Sequence, residues 1–544
     1  MEPDTAPASA VLVDDDRIVA VGDFDELRRR DCFVDETFAE AVVCAGFIDQ
    51  HLHPVLGATT LITEVIATED WALPDRMCPA AHSQEEYRQR LAEAERRAPA
   101  GEWLLSWGYH KLWHGPLSRV ELDTISTTRP IAVWQRSCHE WFLNSAAIDA
   151  LEITPDAMAG HGAASSMVDV DAGHWWETGM NLLLPRLSPI FLSPQRVAAG
   201  LHQMVAYLHQ NGVTAFNEPG IMWDLEPWPL YQEILGADST PFLSTFLVDA
   251  RSQADSGMDP SEAVVDAEKQ VARASTGKVR LLPKQVKLFA DGAIISQLMQ
   301  MRDPYLDDAG RPDLCHHGEW MMQPEVFRAF AKVYWNADWQ LHIHVNGDAA
   351  LDLVLDTIGE CMAQHPRADH RTVIVHFANS TEAQIDRIAE LGCIVSANSY
   401  YPVGFADKYS EHGLGPARAD AMVRAASVLK RGVPLSFHSD LPMGPADPLT
   451  LAWCAVNRLT PSGRVAGPEQ RVSVHDALRA VTIEAAYSWR MEDELGSIAP
   501  GKLANFTVLA QDPYLVAPEQ LNTIDVVGSV YAGRWFPAIE GGRY

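Results

Sequence analysis

The sequence contains no run approaching the roughly 20 consecutive apolar residues that a helix needs to span a bilayer, which excludes a bundle of membrane-spanning helices. Its opening residues, Met1 to Ala10, lack a basic segment followed by an apolar one, so no secretory leader is expected. Paired cysteine spacing is also missing: the eight cysteines (Cys32, Cys44, Cys78, Cys138, Cys315, Cys361, Cys393, Cys454) include no CxxC. That scatter points to free thiols in a reducing compartment, and a cytoplasmic location is expected. Positive charge is scarce, with 42 Lys and Arg against 73 Asp and Glu and a formal charge of −31. Such a field repels nucleic acid and anionic membrane surfaces, so neither is expected as a partner. Its plain consequence is solubility. Internal repeats and low-complexity tracts are absent.

What is present is a chain of 544 residues, 47% apolar and 21% charged, long enough for two or three structural units. From about Arg196 to Arg490, short apolar runs alternate with helical patterns, the signature of a parallel sheet wrapped by helices. Strand-like runs are Val213–Asn217, Phe242–Leu247, Gln285–Phe289, Gln340–His344, Thr372–Phe377, Cys393–Ala397 and Pro434–His438. With Gly46–His51 they number eight, which closes a (β/α)8 TIM-type barrel. Helical periodicity is clear over Thr381–Leu391 and Pro324–Tyr334. The barrel is expected over residues 46–57 and 196–494, with an inserted cap subdomain at 58–195 that takes a ninth strand candidate, Ile131–Gln135. The insertion holds eight of the sixteen tryptophans. That density suits either a cap over an apolar pocket or a small domain's own core. Residues 1–45 and 495–544 read as all-β, with a hairpin at Val11–Gly22 and strands at Asn505–Leu509 and Val526–Phe536. Two such ends on one barrel suggest a composite small β-sandwich domain.

The chemistry-bearing motifs sit where strands give way to loops. GFIDQHLHP (Gly46–Pro54) ends a strand with His51 and His53 at spacing two, which turns both imidazoles to one face, where they can share a metal ion. QVKLFADG places Lys287 inside an apolar strand, with Asp291 four residues on. DWQLHIHVNGD ends a strand with His342 and His344, TVIVHFAN with His376, and VPLSFHSDLP with His438 and Asp440. Barrel enzymes place their sites at this face. His342 shares a face with His344 but lies about 7 Å deeper by strand rise, so His344 is the expected ligand and His342 a core or supporting residue.

HxH, then a strand lysine, then His, His and Asp in that order resembles the amidohydrolase superfamily. GFIDQHLHP, KLFADGA, HVNGDAA, SDLPM and GSIAPGKLANFTVL are similar to its family 3, the YtcJ-like branch related to N-substituted formamide deformylase. The likeness runs from the N-terminal hairpin to Phe536. It implies the barrel, the composite β-sandwich from both chain ends, and a site of one or two divalent ions, zinc being expected. By that resemblance the ligands are His51, His53, Lys287, His344, His376 and Asp440. Lys287 would be N6-carboxylated, an anion bridging two metals; the bland alternative is a snorkelling lysine, or one ion-paired with Asp291. Asp440 is the expected general base beside a metal-activated water. His139, in HEWFLNSAA, matches a histidine that the family often places beside its pocket, and is either a substrate-binding residue or an ordinary interior one.

Three departures stand out. The family pattern usually has glycine where this chain has His438, which would orient Asp440 or a ligand or else fill space. It commonly has Glu where this chain has Val375. A strand that usually precedes the hairpin is not seen, so either the β-domain is abbreviated or the true start lies upstream.

The leading functional reading is a metal-dependent hydrolase of a C–N bond, in an amide or an N-acyl or N-formyl amine, acting on a small molecule with an apolar or aromatic part. The alternatives are a deaminase or a lactone or carbamate hydrolase on the same metal site, and an inactive binding homologue. Lys287 argues against a mononuclear deaminase, and retention of all six ligand positions argues against an inactive homologue. A homo-oligomer stays open.

Overall fold

Strands that alternate with helices along the chain can bury both of their faces only if helices cover the sheet, so their sequences become continuously apolar. Eight such runs form one parallel sheet in the computed structural model, which describes residues 8–221, 228–307 and 309–538. The barrel strands are, in order, Phe47–Asp49, Val213–Pro219, Leu243–Asp249, Val279–Phe289, Gln340–Val345, Val373–His376, Ile394–Ala397 and Leu435–Phe437. Each pairs in parallel with its predecessor. These are the eight runs expected from the sequence. The intervening helices are set by local signals. Glu382–Leu391 opens with a Thr381/Gln384 capping box and stops at Gly392, whose φ of 72° suits glycine.

The first and last strands meet through polar groups. The Asp440 N–H donates to the His51 carbonyl at 2.9 Å. The N–H and hydroxyl of Ser439 donate to the Asp49 carboxylate at 3.0 and 2.5 Å. This seam draws the ends of the sheet together.

By internal contacts the chain divides into two compact units, Met1–Leu52 with Leu208–Gly542, and His53–Tyr207. Besides the barrel, the first unit holds a four-stranded antiparallel sheet of Val42–Ala45, Phe506–Leu509, Val526–Tyr531 and Arg534–Pro537. The hairpin of Ala10–Asp14 and Arg17–Gly22 packs on it through Val11, Val13 and Ile18, against Phe506, Val530 and Trp535. The small β-domain is therefore composite, drawing on both chain ends.

The second unit is built on a six-stranded sheet that includes Ile131–Gln135, the ninth strand candidate. Helix Gln84–Arg97, capped by Ser83, buries Tyr87, Leu91 and Ala94 in a core with Ile66, Ile131, Val133 and Phe142. Five of the insertion's tryptophans (Trp71, Trp107, Trp134, Trp141, Trp175) are buried. Trp134 stacks on Trp141 with ring centroids 5.1 Å apart, and Phe191 meets both rings edge-on. Much of the aromatic density thus goes into this unit's own core. Among the described residues no helix is long and apolar enough to cross a membrane.

The seam yields a stability prediction. Ser439→Ala removes the hydroxyl that donates to Asp49 and accepts from the Leu441 N–H. Hydrogen bonds to buried charged groups are worth about 1.5–3 kcal/mol each, so urea unfolding should show a loss of about 2–3 kcal/mol. An unchanged midpoint would mean that the seam does not hold the barrel.

Candidate metal centre

The barrel interior is lined at its carboxyl end by polar residues that an apolar sheet tolerates only where they have work or partners. Lys287, on the fourth strand, is fully buried and its Nζ has no hydrogen-bond partner among the described residues. Burial pushes its pKa down to about 7, against the opposing pull of the Asp440 and Asp249 carboxylates. Asp291 makes no ion pair with it. The Asp291 carboxylate instead accepts the backbone N–H groups of Asn346, Gly347 and Gln300 at 2.8, 2.7 and 2.9 Å, tying the end of strand four to the turn after strand five.

His51, His376 and Asp440 converge. Asp440 Oδ1 lies 3.4 Å from His51 Nε2, and its Oδ2 lies 3.6 Å from His376 Nδ1. These spacings are long for hydrogen bonds. They match neighbouring donors around a small cation, since two ligand nitrogens each 2.0–2.1 Å from tetrahedral zinc stand about 3.3–3.4 Å apart. His51, His376 and His438 likewise each offer a ring nitrogen within 4.8 Å of the others. The His344 ring joins this group, its centroid 4.3 Å from that of His376. The donor set fits a divalent ion. His376 and Asp440 are held at φ of 76° and 57°, left-handed conformations that cost non-glycine residues about 1–3 kcal/mol and that occur here where the barrel gives way to the site.

His53 follows His51 by two residues, stands at the N-cap position of the helix Pro54–Leu61 without a side-chain capping bond, and is the first residue of the second unit. His139 also belongs to that unit, with its Nδ1 3.1 Å from Glu177 Oε2.

The amidohydrolase family model matches residues 39–536, nearly the whole chain. The chain belongs to the amidohydrolase family. A bacterial imidazolonepropionase-like composite domain matches residues 10–30, the N-terminal hairpin. The chain is 26% identical over 522 residues to the protein LONG AFTER FAR-RED 3 of Arabidopsis thaliana, covering 93% of this chain and 85% of that one. It is also 26% identical over 542 residues to the N-substituted formamide deformylase of Arthrobacter pascens, covering 97% and 94%. An uncharacterised metal-dependent hydrolase from Pyrococcus horikoshii shares the fold, with a TM-score of 0.69 at 21% identity over 93% and 94% of the two chains.

Within this amidohydrolase the structure separates His342 from the site. Gln285 donates its amide N–H to the Trp489 carbonyl at 2.7 Å, which leaves its Oε1 to accept from His342 Nε2 at 3.0 Å. His342 is a core residue. Two carboxylates escaped the sequence reading: Glu218 and Asp249, buried at the carboxyl ends of the second and third strands. A Cβ on Gly220 would lie 3.5 Å from Lys287 Cγ and 3.7 Å from Asp249 Cβ, so these three residues are neighbours. A charged residue closing an apolar run, as in VTAFNEP and LSTFLVD, was the available signal. Tyr401 was missed as well; its hydroxyl lies 3.5 Å from His376 Nδ1, on a helix that no motif marked.

Burial pushes His342 from its ordinary 6.5 down to about 3, with the charges of Lys287 and Arg490 adding to the effect. A histidine depressed in the folded state binds fewer protons than in the unfolded state, so its contribution is complete above pH 6.5 and is lost as pH falls toward 3. Between pH 6.5 and 5 the loss should be about 2 kcal/mol. His342→Leu should flatten this acid slope in urea titrations, whatever its absolute stability. An unchanged slope would mean that the buried imidazole is not the cause.

Proposed function

We propose that this amidohydrolase is a metal-dependent hydrolase that cleaves a C–N bond, in an amide or an N-acyl or N-formyl amine, of a small molecule with an apolar or aromatic part. The observation that carries the reading is the spacing of His51, His376 and Asp440 around one point at the carboxyl end of the barrel. The name of the Arthrobacter pascens relative, N-substituted formamide deformylase, supplies the first substrate class to test.

On this reading His51, His53, Lys287, His344, His376 and Asp440 hold one or two ions, zinc being favoured by a donor set of imidazoles and a carboxylate. When bound, the metal supplies a Lewis acid for the substrate carbonyl and lowers the pKa of water. Asp440 takes the proton of the attacking water and delivers it to the leaving nitrogen. Lys287, with its pKa brought to about 7, offers a substantial fraction of neutral amine at neutral pH. A neutral amine adds to CO2, forming an N–C bond and releasing a proton, and the resulting carbamate is an anion able to bridge two cations. His139, half-buried and oriented by Glu177, is the proposed substrate contact of the second unit. The eight free thiols fit a reducing, cytoplasmic setting.

Purified protein should hold about one to two equivalents of divalent metal by elemental analysis, and chelation should abolish hydrolysis of an N-formyl or N-acyl amine. Asp440→Asn should keep substrate binding while kcat falls by about 10²–10⁴-fold. His51→Ala should lose metal as well as rate. Full activity in metal-free protein, or near-normal kcat with full metal in Asp440→Asn, would overturn the mechanism.

Lys287→Ala should lose the second equivalent of metal, and a short carboxylic acid should partly restore it by standing in for the carbamate. An unmodified ammonium at Lys287 in a metal-loaded crystal at neutral pH would count against the bridge.

A further inference from the structure

Directly beneath Asp440 the eighth strand delivers a fully buried imidazole, His438, that the ligand set carried over by resemblance leaves out. Its surroundings fix how it can act. Ser396 donates its hydroxyl proton to Gln50 Oε1 at 2.7 Å. With that proton committed, Ser396 Oγ is an acceptor for His438, whose Nδ1 lies 2.8 Å away. Nδ1 therefore carries the ring proton of the neutral imidazole, and Nε2 is left with its lone pair.

That lone pair faces other donors. His438 Nε2 lies 3.2 Å from His376 Nδ1. Around the same point, the ring centroids of His51, His376 and His438 stand 4.9, 4.9 and 5.0 Å apart, a nearly equilateral triangle. A hydrogen bond accounts for two rings at that separation and says nothing about the third. A cation accounts for all three, and the 3.2 Å edge is close to the spacing of about 3.3–3.4 Å expected between two imidazole nitrogens on one tetrahedral zinc.

We propose that His438 is itself a metal ligand, completing a His51–His376–His438 triad beneath Asp440, with Ser396 and Gln50 as the hydrogen-bonded support that holds its ring in the ligating tautomer. The inference rests on the metal-dependent reading above and deepens it. It adds a nitrogen donor from the eighth strand, the strand that otherwise contributes only a carboxylate. A more nitrogen-rich site is selective for borderline cations such as zinc or cobalt over magnesium and manganese, which favour oxygen donors.

The test compares the full-length wild-type protein with His438→Ala and His438→Gln, each loaded with Co(II) after metal removal. X-ray absorption counts the coordinated imidazoles, and a chelator competition gives affinity. Far-ultraviolet circular dichroism of each apo variant checks the fold. The proposal expects one imidazole fewer in both variants and an affinity reduced on the order of 10²-fold or more, beyond the 10–100-fold typical of losing a group that only supports a ligand. It also expects Ser396→Ala, which leaves the imidazole in place, to keep the wild-type imidazole count with a smaller loss of affinity. An unchanged imidazole count in the folded His438 variants would overturn the proposal while leaving the metal-dependent reading intact, and a reduced affinity at unchanged count would recast His438 as a positioning partner of His376. If His438→Ala fails to fold, His438→Gln, close in size and still polar, carries the measurement. Failure of the wild-type protein to bind Co(II) or zinc at all would instead overturn the metal-dependent reading, and this inference with it.

Discussion

The site depends on a closure. Seven neighbouring strand pairs make a sheet, but the candidate ligands from the first and eighth strands share a centre only because the sheet's ends are drawn together. That work falls to one buried carboxylate. Asp49 takes two hydrogen bonds from Ser439, and the Asp440 amide answers by donating to the His51 carbonyl. Asp49 and Ser439 are the chain neighbours, at one or two positions' distance, of His51 and Asp440. The contacts that shut the barrel are thus the contacts that set the separation between a candidate ligand and the candidate base.

A second consequence of closure is electrostatic. The interior collects ionisable groups that water cannot reach, and burial brings Asp49, Asp291 and Lys287 alike to about 7. Carboxylates rise and the amine falls because, in each case, the charged form is the one the interior penalises. A cation at the centre would reverse this logic for the nearby carboxylates, since it stabilises negative charge where burial alone disfavours it. The polar interior is costly in isolation and reasonable around an ion.

Much of this was legible in the sequence, for identifiable reasons. Parallel strands buried on both faces read as unbroken apolar runs, so all eight emerged, and a polar residue closing such a run marks the mouth of the barrel. That rule located the candidates His51, His344, His376 and Asp440, while Lys287 stood out as a charge inside an apolar strand. The rule applied equally to Glu218 and Asp249, which went unnoticed because no partner motif accompanied them. Tyr401 was out of reach, since its nearness to His376 depends on how the first turn of the helix Tyr400–Glu411 leaves the seventh strand. The meaning of the tryptophan-rich insertion also needed coordinates: composition counts aromatic rings but does not say against which surface they pack, and here several pack against one another. His438 was visible as a departure, while its role lay in distances to Ser396 and His376 that no strand parity could supply.

The composite β-domain has a bearing on how the chain is made. Val42–Ala45 pairs with Phe506–Leu509, and the Phe47 N–H donates to Thr507 Oγ1 across 460 residues. At ribosomal rates of roughly 5–20 residues per second, the early strand leaves the exit tunnel on the order of 25–90 s before its partner exists. Through that interval the hairpin and the strand behind it present unpaired edges and an apolar face, the kind of surface that chaperones bind and that aggregates. A chain truncated between Asp440 and Phe506 would carry every candidate ligand and still lack the sheet that covers its beginning.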